Sequence, residues 1–332
     1  MDGYSNVADR LPVAKIPTLA PHFGSPIMGS GNKETQAVPI IGLDKYDADG
    51  EPVAAEPLGP AGSFAATQPP RLVQLIAAEL GITSYSSILN WELELFDSQP
   101  ADVVGLDKEL LSAGRIDDKL CSWAALLGLL LADDAADDGT IRLAAFFDDE
   151  EIGSLLRQGA RGNFLPLTLE RIVEALSTTT SPTVPFGPGL LGRTYAASFL
   201  VSADVTHAAH PNFPGAYEPA HAPRLNVGVA LKADGNGSTT TDAASAAVVR
   251  RAAELSGSAV QVFMARNDSR GGGTVGPMLS AALGCRAADA GLPQLSMHSI
   301  RATTGALDPG LGVKFFRGFY ENWEKVDKEW QP

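Results

Sequence analysis

Apolar positions along this chain keep two different periods. Over 71–80 (RLVQLIAAEL), 121–132 (CSWAALLGLLLA), 167–177 (LTLERIVEALS), 242–257 (DAASAAVVRRAAELSG) and 274–284 (TVGPMLSAALG) they recur every three or four residues, which predicts helices. Gly257 and Gly284 stand where the last two patterns stop, the usual place for a residue that closes a helix. Strict alternation over 90–96 (NWELELF) predicts a half-exposed strand. Apolar runs at 141–147 (IRLAAFF), 193–204 (RTYAASFLVSAD), 224–232 (RLNVGVALK) and 260–265 (VQVFMA) predict buried strands. Strands alternating with helices after Gly105 predict an α/β/α layer around a mostly parallel sheet. Ahead of Gly105, apolar residues interrupted by Pro12, Pro17, Pro21, Pro26 and Pro39 predict short strands and loops, and 47–70 has the composition of a surface loop or linker. The expected division is therefore 1–105 and 106–332.

Composition narrows the function more than the fold. The 332 residues carry 39 acidic against 25 Lys and Arg side chains, a formal charge of -14, so a nucleic-acid partner is not expected. Cys121 and Cys285 sit in apolar surroundings, as small core residues of a reducing compartment do. No early segment reads as a secretory signal and no apolar run is long enough for a bilayer. The expected location is cytoplasmic, without a membrane partner.

Several polar residues collect where strands are predicted to end. Asp117 precedes a helix, the DDEE run places Glu150 and Glu151 after a strand, Asp204 closes another with His207 and His210 just beyond, and His298 lies in a loop. Ligands of open α/β sheets bind at the carboxyl ends of strands. Four like charges in a row are costly unless solvated or neutralised, and a divalent cation neutralises them. Zn²⁺ accepts carboxylate oxygen and imidazole nitrogen, and paired metals clamp an attacking water and a tetrahedral intermediate. Adjacent Glu150 and Glu151 would then divide the work of base and ligand. No HExxH word occurs, and GGGTVGP lacks the lysine and spacing of a phosphate-binding loop. Each residue also has a structural reading: DDEE as a solvated cap, Asp117 and Asp118 as N-caps, His207 and His210 as loop residues, His298 as a core histidine. Spacing alone leaves the two readings level.

The words GRIDDKL (114–120), FFDDEEIGS (146–154), SADVTHAAHPN (202–212), RNDSRGGGTVGP (266–277) and PQLSMHSIR (293–301) occur in the order found in the aspartyl aminopeptidases, dizinc exopeptidases that remove N-terminal Asp or Glu. IPTLAPHFG (16–24) and NWELELFDSQPA (90–101) extend the resemblance to nearly the whole chain apart from 47–70. It implies an α/β zinc-exopeptidase domain at 106–332 with a mainly β accessory, dimerising domain at 1–105. By position Asp117 resembles the bridging ligand, Glu150 the general base, Glu151 and His298 ligands of one zinc, and Asp204 a ligand of the other. His207 and Lys232 match substrate-contacting positions, and His210 lies in the same word. His22 resembles a histidine that reaches a neighbouring subunit's site. The resemblance implies two Zn²⁺ per subunit, peptides with an acidic first residue as substrate, and a homo-dodecamer.

Two departures accompany it. Family members carry a segment ahead of IPTLAPHFG, which holds part of the catalytic domain and a His-Thr-Asp word completing the second zinc site. No such word is present here, and Ala302 stands where the family has Glu. Both domains are therefore expected to be incomplete at the N-terminal side and the second zinc site weakened. The readings that remain are an active enzyme, a truncated fragment of one, and a catalytically impaired subunit acting only in assembly. A phosphohydrolase using the same edge is disfavoured by the match of words.

Overall fold

The chain divides into two units, Met1–Ser98 and Gln99–Pro332, each with its own buried apolar core among the described residues. The computed structural model describes residues 12–23, 32–133, 139–180, 185–269 and 272–330. In the first unit the β character is confined, among the described residues, to the bridges Lys15↔Ile40 and Tyr46↔Pro52. Helix α1 (Lys33–Gln36) is capped by the Asn32 carboxamide, which accepts from Glu34 N at 2.9 Å. Helix α2 (Pro70–Glu79) has proline at its start and turns Val73, Ile76 and Ala77 inward. Part of 47–70 joins this core: Ala65 is fully buried, and Phe64 meets Trp91 edge-on at 5.1 Å. Residues 90–96 make no strand ladder among the described residues.

The second unit carries the strands. They are β1 (Asp102–Val104), β2 (Leu110–Ala113), β3 (Phe199–Ala203), β4 (Thr206–His207), β5 (Ala230–Ala233), β6 (Gln261–Met264), β7 (Arg286–Gly291), β8 (Pro293–Leu295) and β9 (Ala302–Gly305). Its helices are α3 (Ile116–Leu131), α4 (Phe164–Thr180), α5 (Pro188–Ala197), α6 (Ala243–Ser256), α7 (Val275–Leu283) and α8 (Asp308–Glu329). Among the described residues the strands form two sheets, ordered β1-β2-β9-β8-β4 and β3-β7-β5-β6. β1 pairs with β2, which is why residues 99–105, grouped by sequence with the first part, belong to the second unit.

The α/β character is as expected, but pairing is mixed where a mostly parallel sheet was predicted. β3·β7, β4·β8 and β5·β6 run parallel, whereas β1·β2, β2·β9, β8·β9 and β5·β7 run antiparallel. Periodicity reports which faces are buried and not which neighbour lies alongside. Two predicted strands also change. The first part of 193–204 is helical, since Gly187-Pro188 opens α5 and the strand starts only at Phe199. Residues 141–147 form no ladder among the described residues; Leu143, Ala145 and Phe147 are held instead by packing against Leu165 and Leu279.

The main core joins α3 and α8 to both sheets through Phe315, Phe316, Leu231, Leu292, Val229 and Val249. Burying each such side chain stabilises the fold by about 1.5–3 kcal/mol. The two helices approach closely at Gly128, where a Cβ would lie 2.9 Å from the Arg317 nitrogen. Asp242 and Ser245 form a capping box on α6, while Gly257 and Gly284 close α6 and α7 at φ 62° and 64°.

One crossing sets up the site. β3 and β7 lie side by side in one sheet, and their continuations β4 and β8 lie side by side in the other. The step between sheets falls at Asp204–Val205 on one path and Gly291–Leu292 on the other. The two paths touch so closely that a Cβ on Gly291 would sit 1.6 Å from the Asp204 carbonyl oxygen. Glycine is therefore required there, and Asp204 is anchored at the seam.

Candidate metal centre

Asp117 and Asp118 open α3 with non-helical backbone (φ -79°, ψ 115° and φ -112°, ψ 35°), so the regular helix begins behind them. They do not act as N-caps. Asp118 turns back instead: its Oδ1 accepts the Val205 N–H at 3.0 Å and its Oδ2 accepts the Ser122 hydroxyl at 3.2 Å. It thus fastens the start of α3 to the seam beside Asp204. Asp117 lies between this buried side and the solvent.

The DDEE run becomes a tight loop, not a helix. Asp149 and Ser154 take positive φ (59° and 57°), and Glu150–Ile152 is a single 3-10 turn. Ser154 N donates to Asp149 O at 2.8 Å, and Asp148 N to Gln158 O at 3.1 Å. Glu150 and Glu151 therefore stand exposed at the loop's tip. His298 occupies a turn between β8 and β9, also at positive φ (59°). Its Nε2 lies 3.3 Å from Asp117 Oδ2 and 3.4 Å from Glu151 Oε2.

Two groups of possible ligand atoms result, each mutually within 4.8 Å: Asp117, Glu151 and His298, and Asp117, Asp118 and Asp204. Asp117 belongs to both. The first group offers two carboxylates and an imidazole, a donor set that suits zinc. The second is all carboxylate. A cavity of about 960 Å³ opens beside them, with Asp117, Asp118, Glu150, Glu151 and Asp204 on its wall and an apolar interior.

Crowding and burial act together on these acids. Burial, reinforced by Asp204 and Glu151, raises the Asp117 carboxyl to about 7. Burial followed by Asp204 raises Asp118 to about 8. Glu150 is raised as well, by desolvation first and then by Asp204 and Glu151. Lys232 on β5 sets its Nζ 2.7 Å from Asp204 Oδ2; burial pulls its proton affinity down, but the Asp204 charge and hydrogen bond, helped by Asp289, together more than offset that and raise it. Burial, with Lys232 nearby, lowers His207, whose ring leans on Phe263 at 5.5 Å.

Of the residues singled out by sequence, Asp117, Glu151, His298 and Asp204 fall in these groups, with Glu150 on the same wall and Lys232 tied to Asp204. His210 instead serves its own turn, its Nδ1 accepting Asn212 N at 3.2 Å and its ring facing Phe213. His22 lies exposed in the first unit, in the 3-10 turn Pro21–Phe23. Asp118 was missed as a site residue; its one sequence signal is the doubled Asp ahead of an apolar helix.

The family model for the aminopeptidase I zinc metalloproteases (M18) matches residues 4–320. The chain belongs to the M18 aminopeptidase family. It is 41% identical over 324 residues to vacuolar aminopeptidase 1 of Saccharomyces cerevisiae, covering 96% of this chain and 61% of that protein. It is 40% identical to the aspartyl aminopeptidase of Aspergillus oryzae, covering 96% of this chain and 68% of that one. The solved structure of Chaetomium thermophilum mApe1 superposes with a TM-score of 0.84 at 62% identity, covering 96% of this chain and 66% of the other. This M18 chain thus spans somewhat under two thirds of the length of the first relative. No helix among the described residues is long and apolar enough to cross a membrane.

Proposed function

We propose that the chain forms the metal-binding body of an aminopeptidase that releases Asp or Glu from peptide N-termini. The observation that carries the reading is Asp117, shared between two ligand groups at a cavity wall that also bears Glu150. Asp117, Glu151 and His298 would hold one Zn²⁺; Asp117, Asp118 and Asp204 would hold a second. Bound there, zinc supplies Lewis acidity toward the scissile carbonyl and toward water.

The chain's own groups do the rest. A Glu150 carboxylate oxygen takes the proton of the attacking water and returns it to the leaving amine. Its raised affinity for a proton suits both halves of that exchange. Preference for an acidic first residue is supported by the name of the Aspergillus relative. Self-association, as the family resemblance implies, is supported by exposed Ile152, Leu155, Leu156 and Phe164. A cytoplasmic location is supported by two free, buried thiols.

The test is zinc content of the purified chain together with hydrolysis of aspartyl, glutamyl and leucyl amides. Bound zinc with preference for the acidic amides is the expected result; turnover of the leucyl amide alone overturns the substrate class. The assembly-only reading draws on the second ligand group, which contains no imidazole among the described residues. Zinc at one per chain or fewer, with no turnover of any amide, would favour it.

A further inference from the structure

Lys232 is a buried cation, and among the described residues its side chain forms one ion pair, with Asp204. Its side chain is 8% exposed and its Nζ meets Asp204 Oδ2 at 2.7 Å. The Thr239 hydroxyl donates to the Lys232 carbonyl at 3.4 Å, and Ala230 and Leu231 beside it are buried in β5. A second buried acid that acts on it, Asp289, is already engaged. It accepts from Thr240 N at 2.6 Å, the Thr240 hydroxyl at 2.8 Å and the Thr274 hydroxyl at 2.5 Å. Asp204 cannot follow the lysine elsewhere, because its backbone is wedged against Gly291.

The carboxylate that Lys232 holds is the same one that completes the all-carboxylate ligand group. Resting on the metal reading above, we propose that Lys232 competes with a divalent cation for Asp204, so that loading this group is an exchange of ammonium for metal. Two positive centres drawn to one carboxylate repel by several times the thermal energy at an effective dielectric of about 20. The ammonium must therefore give up Asp204 for the cation to bind well, and Asp289, already engaged by Thr240 and Thr274, offers it no replacement. Among the described residues no lysine or arginine is shown paired with the Asp117–Glu151–His298 group; it fills first and tightly, while the Asp117–Asp118–Asp204 group fills second and weakly. Lys232 is a positioning residue in this scheme, acting through Asp204.

Calorimetric titration of the full chain with Zn²⁺, and its melting temperature with and without Zn²⁺, test this in the parent, K232M and K232R. In K232M the second zinc should bind at least about tenfold more tightly. The zinc-free K232M chain should melt about 5–10 °C lower, because Asp204 loses its counter-charge in a partly buried place. Saturating zinc should remove that deficit, and K232R should restore the parent's behaviour in both measurements. An unchanged second affinity in K232M, or the same loss of melting temperature with and without zinc, overturns the exchange. Should K232M not fold under either condition, K232R decides: parental zinc affinities and melting temperature support a charge role, and loss of either overturns it. A parent chain that takes up no zinc at all sinks the metal reading and the exchange together, recognisable because every variant then fails alike.

Discussion

The two ligand groups that share Asp117 differ in almost every physical respect. The outer one reaches solvent: the Glu151 and His298 side chains are 60% and 64% exposed, and both sit on loops held at positive φ. The inner one is built into the fold, with Asp118 fastened to Val205 and Asp204 pinned at the seam between sheets. The outer group has an imidazole and no resident cation; the inner has only carboxylates and a buried lysine among them. Anchoring and donor chemistry thus pull in opposite directions. The group fastened to the seam is the one in which Asp118 is driven toward protonation and an Asp204 oxygen is already engaged, while the exposed group has the more suitable donors.

The largest effect should come from outside both groups. Glu150→Gln should lower turnover about a thousandfold while zinc content stays at the parental level. Steady-state kinetics with metal analysis checks it; a variant that keeps its turnover, or loses its zinc, removes Glu150 from the role of base. The comparison itself is sharpened by His298→Ala, which should weaken the first zinc about a hundredfold and leave the second step nearly as it was. Calorimetry showing both steps weakened equally would mean that the groups are not separable.

Asp118→Asn is the matching change on the inner side. An asparagine oxygen still accepts from Val205, so the seam should hold while the second zinc weakens about tenfold. Lost affinity at the first step would place Asp118 with the outer group. The smallest effect is in pH. Asp117 and Asp118 titrate near 7 and 8 in the folded zinc-free chain, against 3.8 unfolded. The native state therefore binds more protons than the unfolded chain across that window, and stability is lost as pH rises through it. The melting temperature of zinc-free protein should fall by a few degrees from about pH 5 to about pH 8, and zinc should abolish the slope. A flat profile without zinc would show that the inner acids are not crowded as described.

Much of this was legible in the chain, for identifiable reasons. The helices containing Val73, Ala124, Val173, Val249 and Leu279 repeat their apolar residues locally, and Gly257 and Gly284 mark two of their ends without reference to any distant partner. Asp117, Glu151 and His298 stood out because their words recur within a family, and the fold brings the three together. What could not be read were relations between distant segments. Residues 90–96 and 141–147 have the texture of strands but find no ladder, since alternation names a face and not a neighbour. Asp118 looked like a cap because its true acceptor role depends on Val205, far along the chain. Lys232 looked free for substrate because nothing in its own stretch shows that Asp204 lies 2.7 Å away.

The seam at Gly291 has a further consequence for how the sequence can drift. A Cβ there would overlap the Asp204 carbonyl oxygen, and the same backbone carries the side chain that pairs with Lys232 and is proposed to hold metal. Any replacement would have to part the two sheets at the one point where they exchange strands, and would move Asp204 as it did so. Position 291 is thus closed to substitution although it contributes no chemistry of its own. In a library that randomises 291 and selects for folding alone, glycine should be the survivor. The positions proposed to be catalytic on the loops around it should stay permissive under the same selection and become restricted only when activity is demanded.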